Sequence, residues 1–348
     1  MLKGLASDNY AGVLPEIMDA LVEANKFHEK SYGNDTYTSL AKEMFKKQFG
    51  EQIESTFVFN GTGANVLGIA NVTRSFNSIL CADTSHLFVD ESTAPETLTG
   101  CRLVPIKTNG DGKMELESIQ NAIIRQGDEH HPQVRVFSLA QSTEYGTVYS
   151  IDELKSIGKL LKEHHIIFHM DGARIYNAMV HLNVSFKELI TDTGIDILSL
   201  GGTKIGLLYG EAIIFLDKKW AVNLKYIQKQ SMQLPSKMRF ISAQFLCLFE
   251  RELWKKSATH SNSMALNLRN QLESFPQIEV TKPVQSNAVF AMIPKEWNEI
   301  LQSKLPFYVW NEKNNEVRWM CSFDTTTAEI DAFIATINAI LLKTFTEL

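Results

Sequence analysis

The sequence predicts an α/β fold: a large domain around a mostly parallel sheet, followed by a smaller C-terminal α/β domain. Three observations predict it. Between about Ser55 and Phe215, short apolar, β-branched runs alternate with stretches of helical periodicity, the pattern of repeated βαβ units. With 348 residues, the chain has the length of about two domains. After about Phe240 the alternation stops, and helical stretches, short strands and a closing helix follow.

In order, residues 56–60 are expected as a strand and 62–73 as the helix after it. Further strands are expected at 79–82, 102–107, 134–139, 166–170, 196–200 and 211–216. Helices are expected at 116–125 and 151–163, the second with Asp152 and Glu153 near its start. Beyond these lie helices at 244–254 and 264–275, strands at 289–293, 307–310 and 317–322, and a helix at 328–342. Residues 16–240 are taken as the large domain, and 1–15 with 241–348 as the small one. In a parallel sheet, ligands bind beyond the carboxyl ends of the strands. That rule gathers Asn60–Asn65, Asp171–Arg174 and Gly201–Lys204, because each follows a strand directly.

Composition narrows the function. At 44% apolar and 21% charged, the chain is an ordinary globular one. No apolar run reaches the ~20 residues needed to span a bilayer, and residues 1–10 carry no apolar core of a secretory signal. Four scattered cysteines, without a C-x-x-C pair, support neither disulfides nor a zinc site and fit a cytoplasmic protein. A net charge of −6 argues against nucleic acid or anionic membrane as a partner and leaves a small molecule.

Four segments carry chemistry. Asn60-Gly-Thr-Gly-Ala-Asn65 joins a strand to a helix: Gly61 and Gly63 let the backbone approach an anion, Thr62 adds a hydroxyl, and the helix start adds free N–H groups. It also reads as a simple turn, and it lacks the Lys-Ser/Thr pair of a nucleotide loop. Asp171 ends a buried strand, either as a helix cap paired with Arg174 or as a carboxylate facing a protonated pyridine nitrogen. Lys204 follows Gly201-Gly-Thr after another apolar strand, a confined place where burial would favour a neutral, reactive amine. His86 also follows a strand, and its flat ring suits stacking on a cofactor as well as a structural role. His164, His165 and His169 straddle a helix end and a strand and need not converge, so no metal is expected.

The ordered set Ser7-Asp-Asn9, Gly61-Thr-Gly-Ala-Asn65, His86, Asp171-Gly-Ala-Arg174, Gly201-Gly-Thr-Lys204 and Val317-Arg-Trp-Met-Cys-Ser-Phe-Asp-Thr325 resembles the threonine aldolases. These are aspartate-aminotransferase-like, fold type I pyridoxal-phosphate enzymes of the β-eliminating-lyase-like branch, and the likeness covers nearly the whole chain. The resemblance implies that Lys204 carries pyridoxal 5'-phosphate as a Schiff base, that Asp171 binds the pyridine nitrogen and that His86 stacks on the ring. It assigns the phosphate to Gly61, Thr62 and Gly63, and the substrate α-carboxylate to Ser7, Arg174 and Arg318. Phe88, Ile205 and Gly63 depart from residues common in the family. The implied activity is cleavage of L-threonine, L-allo-threonine or related β-hydroxy-α-amino acids to glycine and an aldehyde, with His86 as candidate base. Alternatives are a β-eliminating lyase, an aminotransferase or a catalytically idle protein on the same fold. A homodimer or homotetramer with shared active sites is expected. The basic stretch 225–239, with Lys225, Lys229, Lys237 and Arg239, is the candidate to reach a neighbouring subunit's phosphate.

Overall fold

The computed structural model describes residues 4–346; residues 1–3 and 347–348, which the expected small domain includes, lie outside the described residues. Seven strands form the large sheet: β1 Glu54–Val58, β2 Asn77–Ala82, β3 Arg102–Ile106, β4 Gln133–Ala140, β5 Ile167–Gly172, β6 Ile197–Leu200 and β7 Glu211–Phe215. Their order is β1-β7-β6-β5-β4-β2-β3. β3, β2, β4, β5 and β6 pair in parallel, whereas β7 runs antiparallel between β6 and β1. β1 therefore points the same way as β6, and the ends of β1, β5 and β6 lie on one edge with the start of β7. A link of ten residues between β6 and β7, too short for a crossover helix, forces that reversal.

The second sheet, β8 Glu279–Val280, β9 Ala288–Met292, β10 Tyr308–Asn311 and β11 Glu316–Met320, is antiparallel in the order β10-β11-β9-β8. Its core joins Leu5, Val289, Trp319 and Phe333. The N-terminal segment is stitched to it, because Leu5 N–H donates to the Pro306 carbonyl and Met320 N–H to the Leu5 carbonyl, both at 2.8 Å.

Two expectations differ from the structure. The helix expected at 244–254 is the end of one helix, Arg239–Glu250, and the start of another, Leu253–Leu272. Glu252, at φ 50°, turns the chain between them, and no glycine or proline marks the break. The packing also departs from a division at 240/241. Ile241, Phe245, Phe249, Leu253 and Ala258 sit in the core of the large sheet, whereas Ala265, Leu268 and Leu272 belong to that of the small one. An apolar face that continues past Phe240 carries the chain along the large domain for roughly twenty more residues. We propose that the division falls inside the helix Leu253–Leu272. Helices Pro15–Ala24 and Thr36–Phe49, not anticipated, complete the large core through Ile17, Ala41, Phe45 and Phe49. The second is capped by Asp35, whose carboxylate accepts from Thr38 N–H at 2.7 Å. The ring of Phe45 meets that of Phe249 edge-on at 5.6 Å, and each fully buried ring contributes about 1.5–3 kcal/mol.

Candidate active site

A cavity of about 480 Å³ opens at the common edge of β1, β5 and β6, under β10 and β11. Of the residues singled out in the sequence, Ser7, Gly61, Thr62, His86, Asp171, Arg174, Lys204 and Arg318 line it. Gly63 does not. Its N–H donates to Asn60 Oδ1 at 2.8 Å, and an added Cβ would lie 2.6 Å from Gln233 Cδ. The glycine at 63 thus faces the movable end of the Gln233 side chain, behind the cavity wall.

Asn60 caps the helix Gly61–Ala70, whose first N–H groups, those of Gly61 and Thr62, have no acceptor within the helix. A Cβ on Gly61 would meet no atom within 4 Å, so the space in front of this helix start is open to a ligand. One turn further, Asn65 is buried and donates from Nδ2 to Asp171 Oδ2 at 2.8 Å and to Glu91 Oε1 at 2.9 Å. Glu91 Oε1 in turn contacts His86 Nδ1 at 2.9 Å. An unbroken chain, His86–Glu91–Asn65–Asp171, therefore fixes the imidazole and the strand-end carboxylate relative to each other.

Asp171 also accepts from Ala173 N–H at 2.9 Å. Burial acts to raise its pKa, but the Asn65 and Ala173 hydrogen bonds and the charges of Lys204 and His86 outweigh it and hold the carboxyl below its usual range. Behind it, His169 lies in the core between Ser138 at 2.8 Å and Ser199 at 3.0 Å, far from its sequence neighbours at the exposed helix end. Burial lowers its pKa to about 4, so it is neutral. The hydrogen bond to Glu91 raises the pKa of His86, against the effect of burial.

Lys204 stands in a single helical turn after β6, reached through Gly201 and Gly202. A Cβ on Gly201 would lie 2.7 Å from the Ala173 carbonyl oxygen, so the turns leaving β5 and β6 touch backbone to backbone. This contact puts Lys204 and Asp171 on one cavity wall. Glu211 accepts from Gly202 N–H, and burial pushes its carboxyl up to about 7 despite that bond and the nearby Lys204.

The two arginines differ. Arg174 is committed: its Nε and Nη2 hold Asp8 at 2.7 and 2.9 Å. Ser7 accepts from Asn9 N–H at 3.2 Å, capping the turn that presents Asp8. Arg318, on β11, donates from Nη2 to the Ala6 carbonyl at 3.2 Å and stacks on Trp310 at 4.8 Å, but its buried Nε has no partner among the described residues. A guanidinium with an idle donor above a cavity suits a carboxylate.

The sequence did not point to Asn65 as a linker, nor to Glu91, Glu144 and Glu211. Asn65 and Glu91 stand close to recognisable motifs, but only folding reveals their partners. Glu144 follows the expected strand at 134–139, but without a glycine turn or neighbouring motif to mark it.

These groups fit pyridoxal 5'-phosphate: an amine at Lys204, a carboxylate kept ionised at Asp171, an open helix start at Gly61 and an unpaired arginine donor. Fold and site together define a pyridoxal-phosphate-dependent enzyme of fold type I. The chain belongs to the β-eliminating lyase family, matched over residues 4–295, and within it to the threonine aldolases. A low specificity L-threonine aldolase from a Pseudomonas species is 40% identical over 97% of both chains, and that of Pseudomonas aeruginosa is 39% identical over 92% of both. The structure of Leishmania major threonine aldolase superposes with a TM-score of 0.92 at 25% identity, covering 97% of this chain and 99% of the other.

Proposed function

We infer that this chain is a pyridoxal-phosphate-dependent carbon–carbon lyase that splits L-threonine, L-allo-threonine or related β-hydroxy-α-amino acids into glycine and an aldehyde. The observation that carries the reading is the placement of Lys204 and Asp171 on one cavity with Arg318, whose Nε has no partner among the described residues. When bound, the cofactor supplies a conjugated system that accepts the electron pair left on Cα. Lys204 is the amine that holds it, and Asp171 keeps a proton on the pyridine nitrogen. Gly61 and Thr62, at a helix start, receive the phosphate, with Gly63 shaping the turn from behind. His86, on the cavity wall, would be the residue to pack against the ring. Arg318 binds the substrate α-carboxylate with Ser7, and Arg174 supports that end of the cavity by holding Asp8 in place.

The same reading extends to assembly and setting. Phe27 and Met232 are 88% and 81% exposed, and Gln233, next to Met232, accepts from Phe59 N–H at 2.9 Å beside the phosphate loop. Large apolar side chains so exposed beside a site favour a homodimer or homotetramer whose subunits complete each other's cavities. The four cysteines are unpaired and buried, as suits a reducing compartment such as the cytoplasm. No helix among the described residues is long and apolar enough to cross a membrane.

The test is to incubate the purified, cofactor-loaded protein with L-threonine and L-allo-threonine and to assay glycine and acetaldehyde. A 2-oxo acid with ammonia would replace this reading by elimination, transfer of the amino group would make it an aminotransferase, and no turnover at all would leave a binding protein.

A further inference from the structure

Breaking Cα–Cβ in a β-hydroxy amino acid requires an acceptor for the hydroxyl proton. We propose that Glu144, in the loop after β4, is that acceptor in place of His86. The proposal rests on the aldolase reading above and names the proton acceptor of that site.

The cavity wall offers few bases. Asp171 is engaged by Asn65 and by Ala173 N–H. Glu211 is engaged by Gly202 N–H. Asp90 sits at the exposed rim. His86 has its Nδ1 engaged by the fully buried side chain of Glu91, at 2.9 Å. Glu144 is different: Oε1 accepts from His86 N–H at 3.2 Å, and Oε2 has no hydrogen-bond partner among the described residues. It lines the cavity beside Arg174, Lys204, Asp171 and His86.

The loop that carries it is held firmly. Thr143 N–H donates to the Thr147 carbonyl at 2.9 Å, and the two threonine hydroxyls meet at 2.7 Å. Gln141 and Tyr149 exchange two hydrogen bonds across the same loop, at 2.9 and 3.0 Å. A base fixed in this way loses little entropy when it works. Burial raises the pKa of Glu144, as does Asp171, while Arg174, Lys204 and His86 pull it back, with a net rise. A carboxylate raised in this manner is a better match for a hydroxyl proton than an ordinary one.

The step balances. The hydroxyl O–H bond breaks and its proton passes to Glu144, while the oxygen pair forms the aldehyde C=O. The Cα–Cβ pair moves to Cα, where the bound cofactor accepts it, and after the aldehyde leaves, a proton delivered to Cα gives glycine.

The experiment compares wild type with Glu144→Gln and Glu144→Asp, each loaded with pyridoxal phosphate. Cofactor absorbance reports loading and glycine binding, and NMR in D₂O reports exchange of the glycine α-proton, a reaction with no hydroxyl proton to remove. In E144Q, kcat for L-threonine or L-allo-threonine cleavage should fall by about 100-fold or more. Loading, glycine affinity and exchange should stay within about threefold, and E144D should regain part of the rate. The acid limb of the wild-type kcat/KM profile, where the carboxylate takes up a proton, should vanish in E144Q and persist in His86→Asn. Unchanged cleavage in E144Q, or equal loss of cleavage and exchange, would overturn the assignment while leaving the aldolase reading intact. A wild-type protein that binds cofactor but releases no aldehyde from either substrate would sink both.

Discussion

At the scale of single residues, two carboxylates on one wall are shifted in opposite directions. Asp171 is kept ionised by donors and cations, so its replacement tests charge alone. Asp171→Asn should still bind the cofactor but lose most turnover, because an amide cannot hold a proton on the pyridine nitrogen. Near-normal kcat in that variant would remove Asp171 from the reading. Glu211 has the reverse bias, with its pKa raised from an ordinary value to about 7 by burial. Between about pH 4.5 and 7 the unfolded chain releases this proton while the folded one keeps it, so stability falls as pH rises through that window. Every tenfold gain in proton affinity on folding is worth about 1.4 kcal/mol at most. Glu211→Gln keeps an acceptor for Gly202 N–H and removes the titration. Its melting temperature should therefore gain on wild type from about pH 5 to 7 and level off above that, and parallel curves would show that Glu211 is ionised throughout.

At the scale of elements, the turns leaving β5 and β6 do the positioning, and they tolerate little. An alanine at Gly201 would strike backbone, the Ala173 carbonyl at 2.7 Å, and one at Gly63 would strike the movable end of Gln233. Gly201→Ala should lower stability by about 1–3 kcal/mol and weaken cofactor binding, whereas Gly63→Ala should do neither by more than a small fraction. Paired thermal melts and cofactor titrations check the contrast, and similar losses in both would refute it. Strand-to-turn segments such as Leu200-Gly201-Gly202 were legible in the sequence because apolar runs that stop at glycine have few interpretations. The reversal of β7 was not legible, since a strand's direction depends on what it pairs with. Nor was the Asn65 link, whose two carboxylate partners lie 26 and 106 residues away. The commitment of Arg174 to Asp8 was likewise hidden, because separation along the chain says nothing about which acid an arginine will meet.

At the scale of the whole molecule, the basic stretch 225–239 can be judged against its surroundings. Arg239 donates to the carbonyl of the exposed Phe27 at 3.0 Å, and Lys229 lies 5.3 Å from the centre of the Tyr32 ring while its carbonyl accepts from N–H of the exposed Met232 at 3.2 Å. If Arg239 serves a neighbour's cavity, mixing inactive Lys204→Ala with inactive Arg239→Ala should restore activity, since a mixed pair then holds one complete site. No recovery despite demonstrated subunit exchange would exclude that role, and a monomeric mass at full activity would exclude the assembly itself. One helix, Leu253–Leu272, begins in the core of the large sheet and ends in that of the small one. It acts as a rigid axle. Swinging one lobe against the other would have to bend this helix or slide side chains across it, which couples the two lobes mechanically. Calorimetry should accordingly record one melting peak, with both lobes unfolding together.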